Sequence, residues 1–179
     1  MRRLISLIVP LLLIACLLIA VPGCKRKRRR AAVETSDDNV FASMIDMSDP
    51  RSKVQLVKGF YDLEAGAWRW TAREFDVVLS PPRDAAQKGA ELILRFSIPD
   101  AVIGKLKSVT LSATANGIKL PPEQYSTSGD FTFTRELPAS ALNTGNVPVS
   151  FTLDKALPPS ASDTRELGVV VKAVGLELK

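Results

Sequence analysis

From Val54 onward, apolar side chains recur at every second position in short runs separated by proline and glycine. Phe75, Val77 and Leu79 alternate with Glu74, Asp76 and Val78, and Leu92, Leu94, Phe96 and Ile98 alternate with Ile93, Arg95 and Ser97. Val109, Leu111, Ala113 and Ala115 lead into Asn116-Gly117, with Ile118 and Leu120 beyond. Phe131, Phe133 and Leu137 follow, then Val147, Val149, Phe151 and Leu153, and last Val169 to Val171 and Leu176 to Leu178. A period of two places successive side chains on opposite sides of a strand, so each run has one dry face and one wet face. Asn-Gly between two such runs signals a tight hairpin, because both turn residues must take positive φ. The pattern predicts roughly seven or eight strands, and no stretch holds a helical period for as many as about ten residues. Strands with one dry face pair antiparallel and cover one another. The expected fold is all-β, an antiparallel β-sandwich of jelly-roll or immunoglobulin-like winding, over residues 53–179.

The hydrophobic pattern of the first 24 residues is different. Leu4 to Val21 is almost wholly aliphatic, interrupted only by Ser6, Pro10 and Cys16, and it follows Arg2 and Arg3. It ends in Val21-Pro22-Gly23-Cys24. A positive start, an apolar run and small residues at its end are the three parts of an export signal. The segment resembles the precursors of bacterial lipoproteins, in which a cysteine after a small residue is acylated and becomes the new N-terminus. That resemblance implies lipidation of Cys24, although Pro22 departs from the usual box. Leu13-Ile14-Ala15-Cys16 fits the box better by letter, but cleavage before Cys16 would leave Leu17 to Val21 apolar at the mature end. The alternative is an uncleaved anchor, since a run of about 19 residues nearly spans a bilayer core. In that case the basic run Lys25 to Arg30 would hold the domain in the cytoplasm, because positive residues flanking a span stay inside. Under both readings the chain sits at a membrane: lipid-anchored and extracytoplasmic in a bacterium, or single-pass with the domain inside. Residues 25–52, basic and then acidic, are expected to be a tether.

Charge and composition narrow the function. The chain has 24 Lys+Arg against 19 Asp+Glu, a net +5. Eight of the basic residues lie at Arg2, Arg3 and Lys25 to Arg30, so Ala31 to Lys179 carries 16 basic against 19 acidic residues. The folded part is mildly acidic, which argues against a nucleic-acid reader. Both cysteines lie in the leader and the chain has no histidine. The domain therefore lacks disulfides, thiolate chemistry, Ser-His-Asp or Cys-His arrangements and the usual zinc ligands. No metal-ligand spacing or phosphate-cradling glycine loop is present, so neither metal nor cofactor is expected.

Two clusters stand out. Gly59-Phe60-Tyr61-Asp62-Leu63-Glu64 and Trp68-Arg69-Trp70-Thr71 contain both tryptophans, and Asp163-Thr164-Arg165-Glu166-Leu167-Gly168 precedes the last strand. Together they resemble a bacterial module found beside glycosyltransferases, methyltransferases and other cell-surface polysaccharide proteins. Its pattern is Gly-aromatic-Tyr, a following Glu, an Arg-Trp pair and a late Asp-x-Arg-x-Leu-Gly. The resemblance spans about Val57 to Leu178, and it implies a jelly-roll of carbohydrate-binding type.

Read on their own chemistry, exposed Trp and Tyr faces stack on sugar rings while Glu, Asp and Arg direct hydrogen bonds to hydroxyls. Tyr61, Glu64, Trp68, Arg69, Trp70, Asp163 and Arg165 are the ligand-binding candidates. If the segment is extended, Trp68 and Trp70 share one strand face and Arg69 takes the other. The competing reading is structural: the tryptophans pack in the core, and the charged residues tie the first strand to the last. On either reading the Tyr61–Trp70 and Asp163–Gly168 segments are expected to meet, with Arg69 and Asp163 as an opposite-charge pair. Glycoside cleavage by Glu64 with Asp163 is disfavoured, because an arginine near each lowers a carboxyl pKa where a general acid needs it raised. The expectation is a non-catalytic binding module for envelope polysaccharide or glycan. Its alternative is a structural or assembly protein docking an envelope partner. The oligomeric state leaves no mark in the sequence.

Overall fold

The computed structural model describes residues 41–143 and 145–179. Cys16, Cys24, the leader and most of the tether lie outside the described residues.

Among the described residues there are nine antiparallel strands, against the seven or eight expected: β1 Met44–Asp46, β2 Leu56–Glu64, β3 Trp68–Leu79, β4 Ala90–Ile98, β5 Val109–Ala115, β6 Ile118–Tyr125, β7 Gly129–Leu137, β8 Val147–Leu153 and β9 Val170–Leu178; the alternating runs supply β3 to β9, and β1 and β2 are additional. The only α-helical pieces among the described residues are Ala85–Lys88 and Asp100–Leu106. The Asn116-Gly117 turn is as expected, with φ of 46° and 80° and Ala115 paired to Ile118. The last two apolar runs form one strand, β9, rather than two.

Pairing follows β6-β5-β8-β3-β9-β4-β7, with β2 added to β3 and β1 to β9. The strands fall into two layers, β6-β5-β8-β3-β2 and β7-β4-β9-β1, and β3 links them. Its second half, Glu74–Leu79, pairs with β8, while Arg69 and Trp70 pair with Val171 and Val170 of β9. Between β3 and β9 the chain changes layer at each connection except the β5–β6 hairpin, which is the winding of a jelly-roll rather than of an immunoglobulin domain. The dry faces meet in one core that includes Phe75, Phe96, Phe133 and Phe151, all essentially inaccessible. Phe75 stacks on Phe151 with centroids 5.0 Å apart, and Phe96 meets Tyr125 edge-on at 5.2 Å, tying β4 of one layer to β6 of the other.

The expected tether boundary needs correction. Met44–Asp46 pairs with Ala173–Gly175 of β9, and Ile45 and Met47 are 2% and 0% exposed in the core. A 3₁₀ stretch, Pro50–Gln55, is started by Asp49 accepting from the Arg51 N–H and ends where β2 begins. The buried Gln55 side chain bonds both the Ala42 backbone and the Val78 carbonyl, which stitches residues 42–55 to β3. The fold therefore begins before residue 53.

Candidate functional site

The β2–β3 hairpin and the loop before β9 carry the candidate residues, and two glycines decide how closely they approach. β2 pairs with β3 through three register shifts, between Leu56 and Lys58, Lys58 and Phe60, and Phe60 and Leu63. Gly59 sits in this irregular stretch at φ +75°, and a Cβ there would lie 1.9 Å from the Glu74 carbonyl oxygen. Only glycine combines a positive φ with so close a backbone. Past the bulge, Phe60 turns inward and meets Phe75 edge-on at 5.4 Å. Gly168 is equally crowded: a Cβ would lie 2.7 Å from the Ala72 carbonyl and 2.7 Å from Leu153 Cδ1. Thr71, fully buried, holds this contact in place. Its N–H donates to Val169 O at 2.9 Å, its carbonyl accepts from Gly168 N–H at 2.7 Å, and its Oγ1 accepts from Val169 N–H at 3.2 Å.

The same contact brings together side chains far apart in sequence. Tyr61 Oη donates to the Glu166 carbonyl at 2.8 Å. Arg165 Nη1 donates to Glu64 Oε1 at 2.7 Å, while its Nε and Nη2 donate to the two Asp163 oxygens at 3.0 and 2.8 Å. The Arg165 guanidinium also lies over the Tyr61 ring, 5.2 Å from the centroid. Glu166, which the sequence reading did not single out, accepts from the Arg73 N–H at 3.0 Å. Nothing in its spacing marks that role; only the docked loop creates it.

The expected meeting of Tyr61–Trp70 with Asp163–Gly168 is thus present, with different partners. Arg165 binds both carboxylates, whereas Arg69 faces inward, 8% exposed, and its Nη1 donates to the Tyr61 carbonyl at 3.0 Å. Arg69 and Asp163 do not pair.

Side-chain and then backbone hydrogen bonds from Arg165 hold the Asp163 carboxyl at about 2, and Asp163 and Glu64 in turn raise the Arg165 pKa. A carboxyl this acidic stays ionised near neutral pH and cannot serve as a general acid. The sign of the stability effect follows. A depressed carboxyl stabilises the fold above its unfolded value of 3.8, and that contribution is lost as pH falls from there to about 2. Thermal melts of wild type and Asp163→Asn should therefore be separated at neutral pH and converge across that window. A gap that stays constant down to about pH 2 contradicts the pairing.

The tryptophans share one face, as the strand period requires. Arg69 and Thr71 take the buried side of β3, and Trp68 and Trp70 take the other side, both half-buried. Trp70 packs against the edge of the core and pairs with Val170. Trp68 stands directly across the hairpin from Glu64, so the two side chains share a face. The turn between them, Ala65-Gly66-Ala67, is closed by Ala67 N–H to Glu64 O at 3.0 Å. Two shallow depressions flank the hairpin. One, of about 260 Å³, lies between Lys58, Arg73, Glu74 and Glu166; the other, of about 170 Å³, is lined by Lys53, Lys58, Tyr61, Asp62 and Arg69 among others. Among the described residues no group of three or more acidic, histidine or cysteine side chains could hold a metal ion.

No family model and no curated protein matches the chain. Among solved structures it is similar to a carbohydrate-binding module described for specific mannan recognition, at TM-score 0.46 and 13% identity, covering 78% of this chain and 98% of that one. It is also similar to a family 35 carbohydrate-binding module from Clostridium thermocellum (TM-score 0.42, 10% identity, covering 75% and 97%). A third is a family 36 module in complex with calcium and xylotriose (TM-score 0.41, 8% identity, covering 75% and 98%). At these scores and identities, the functional reading rests on the chain's own residues.

Proposed function

We propose that this chain is a membrane-tethered, non-catalytic module whose sandwich presents Trp68 and its polar neighbours to an envelope polysaccharide. The observation that carries the reading is the face shared by Trp68 and Glu64. A partly exposed indole stands beside a carboxylate fixed by Arg165, with Tyr61 under the same guanidinium. An indole face covers the apolar side of a pyranose, and a carboxylate already held at one oxygen can direct the other to a hydroxyl. Because the polar groups are fixed in advance by the docked loop, ordering them on binding costs little. Affinity electrophoresis of the full chain against a panel of bacterial envelope polysaccharides tests this. Trp68→Ala is expected to weaken binding at least about tenfold, a loss of about 1.4 kcal/mol. Unchanged binding in Trp68→Ala, or no retardation by any polymer, overturns the reading.

The tether belongs to the same proposal. Lipidation at Cys24 would place the sandwich outside the cytoplasm, with Lys25 to Arg30 against anionic headgroups at roughly 1 kcal/mol per residue. Mass spectrometry of the mature N-terminus is expected to find acylated Cys24. An intact Met1 or an acylated Cys16 contradicts that assignment.

A further inference from the structure

The hydrogen bonds of the site account for Arg165 and leave Arg69 incomplete. Arg69 is 8% exposed, its Nη1 bonds the Tyr61 carbonyl, and its Nε is buried with no partner. Among the described residues no carboxylate pairs with it. Arginine is almost never this deeply buried unless an anion accompanies it, because a guanidinium stripped of water and left unpaired is costly. Although Nε itself is covered, the Arg69 side chain lines the depression of about 170 Å³ beside the edge strand β2. The depression carries Lys53, Lys58 and Arg69 against the single carboxylate of Asp62. Lys58 is engaged elsewhere, 2.8 Å from Glu74, and Lys53 forms no ion pair among the described residues. The space is below the roughly 300 Å³ at which small-ligand sites usually begin, so it suits one substituent of a longer chain held elsewhere. The Trp68–Glu64 face is on the same hairpin, on the opposite side of β3 from Arg69, so a chain reaching both passes over the β2 edge.

We propose that this depression receives the carboxylate of an acidic polysaccharide, with the Arg69 fork as its donor and Lys53 at its mouth. This rests on the polysaccharide reading above and names the chemical class of ligand. A carboxylate matches the planar guanidinium in two parallel hydrogen bonds, which a sugar hydroxyl cannot do. A neutral polymer would cover the depression and leave the buried charge uncompensated, so the site discriminates by charge rather than by ring shape.

The test uses the full chain with polygalacturonate and with the same polymer fully methyl-esterified, which differ only in the carboxylate. Polygalacturonate is expected to bind at least about thirtyfold more tightly than the ester. Arg69→Met should remove that preference while keeping the wild-type far-ultraviolet circular dichroism. Lys53→Ala, at an exposed position with no fold role, should reduce polygalacturonate binding about threefold and leave binding of the ester unchanged. Equal affinity for the two polymers overturns the carboxylate site and leaves the polysaccharide reading standing. If neither polymer binds but sulfate raises the melting temperature of wild type and not of Arg69→Met, the anion site stands and the acidic polysaccharide as its occupant is overturned. If neither polymer binds and sulfate has no effect, the carboxylate site is overturned, and the polysaccharide reading stands or falls on the envelope panel.

Discussion

Gly59→Ala is expected to destabilise the domain by roughly 3–4 kcal/mol or more, the largest effect of alanine at any glycine among the described residues. Two costs add. The residue sits at φ +75°, where an L side chain is strained, and the new Cβ would fall 1.9 Å from the Glu74 carbonyl oxygen. The atom it meets is backbone in the middle of β3, paired across to Thr152 of β8, and so cannot swing aside. Relief requires β2 to lift, which pulls Phe60 off Phe75 and Tyr61 off the Glu166 carbonyl. Natural domains hold only about 5–15 kcal/mol in total, so the variant should be poorly populated when folded and should bind no polymer. Urea unfolding of variant and wild type checks this; a loss below about 1 kcal/mol would mean the close approach is not there.

A chain that starts at Asp49 is expected to lose about 5 kcal/mol relative to one that starts at Asn39. The shorter chain lacks β1, with its pairing to Ala173–Gly175, and lacks the fully buried Ile45 and Met47. Removing each of these side chains uncovers core on β9, and large-to-small changes at such positions cost about 2–5 kcal/mol apiece. Gly175 would also lose its cover, since the Met44 sulfur and backbone lie where its Cβ would be. Thermal melts of the two chains decide the matter, and coincident midpoints would return residues 44–47 to the tether.

The sequence made some of this legible and hid the rest, for definite reasons. Period-two runs such as Leu92–Ile98 and Val147–Leu153 show their faces directly, because each strand is long enough to repeat the alternation and each is regular against a neighbour. β1 is three residues long, too short for Ile45 and Met47 to read as more than isolated apolar residues in an acidic stretch. In the site, the meeting of the two motifs could be anticipated from their charges, but the partners could not. Three register shifts in β2 rotate its side chains relative to β3, and no alternation rule survives a bulge. Arg69 was expected at Asp163 on opposite charge alone, yet it takes the inward face of β3 opposite the tryptophans while Arg165 takes both carboxylates. The motif glycines were legible only as letters; Gly59 and Gly168 hold the hairpin and loop in contact by having no side chain.

The chain has only two tryptophans, Trp68 and Trp70, and both lie at the proposed site, so their fluorescence reports on it without a label. The most direct measurement is a titration of the full chain with the envelope polysaccharide it retains on affinity gels, following tryptophan emission and its quenching by acrylamide. Ligand over the Trp68–Glu64 face is expected to shift the emission saturably and to shield Trp68 from acrylamide, and Trp68→Ala should abolish most of that shielding. Binding that leaves both the emission and the quenching of the wild-type chain unchanged would place the ligand elsewhere and contradict the account.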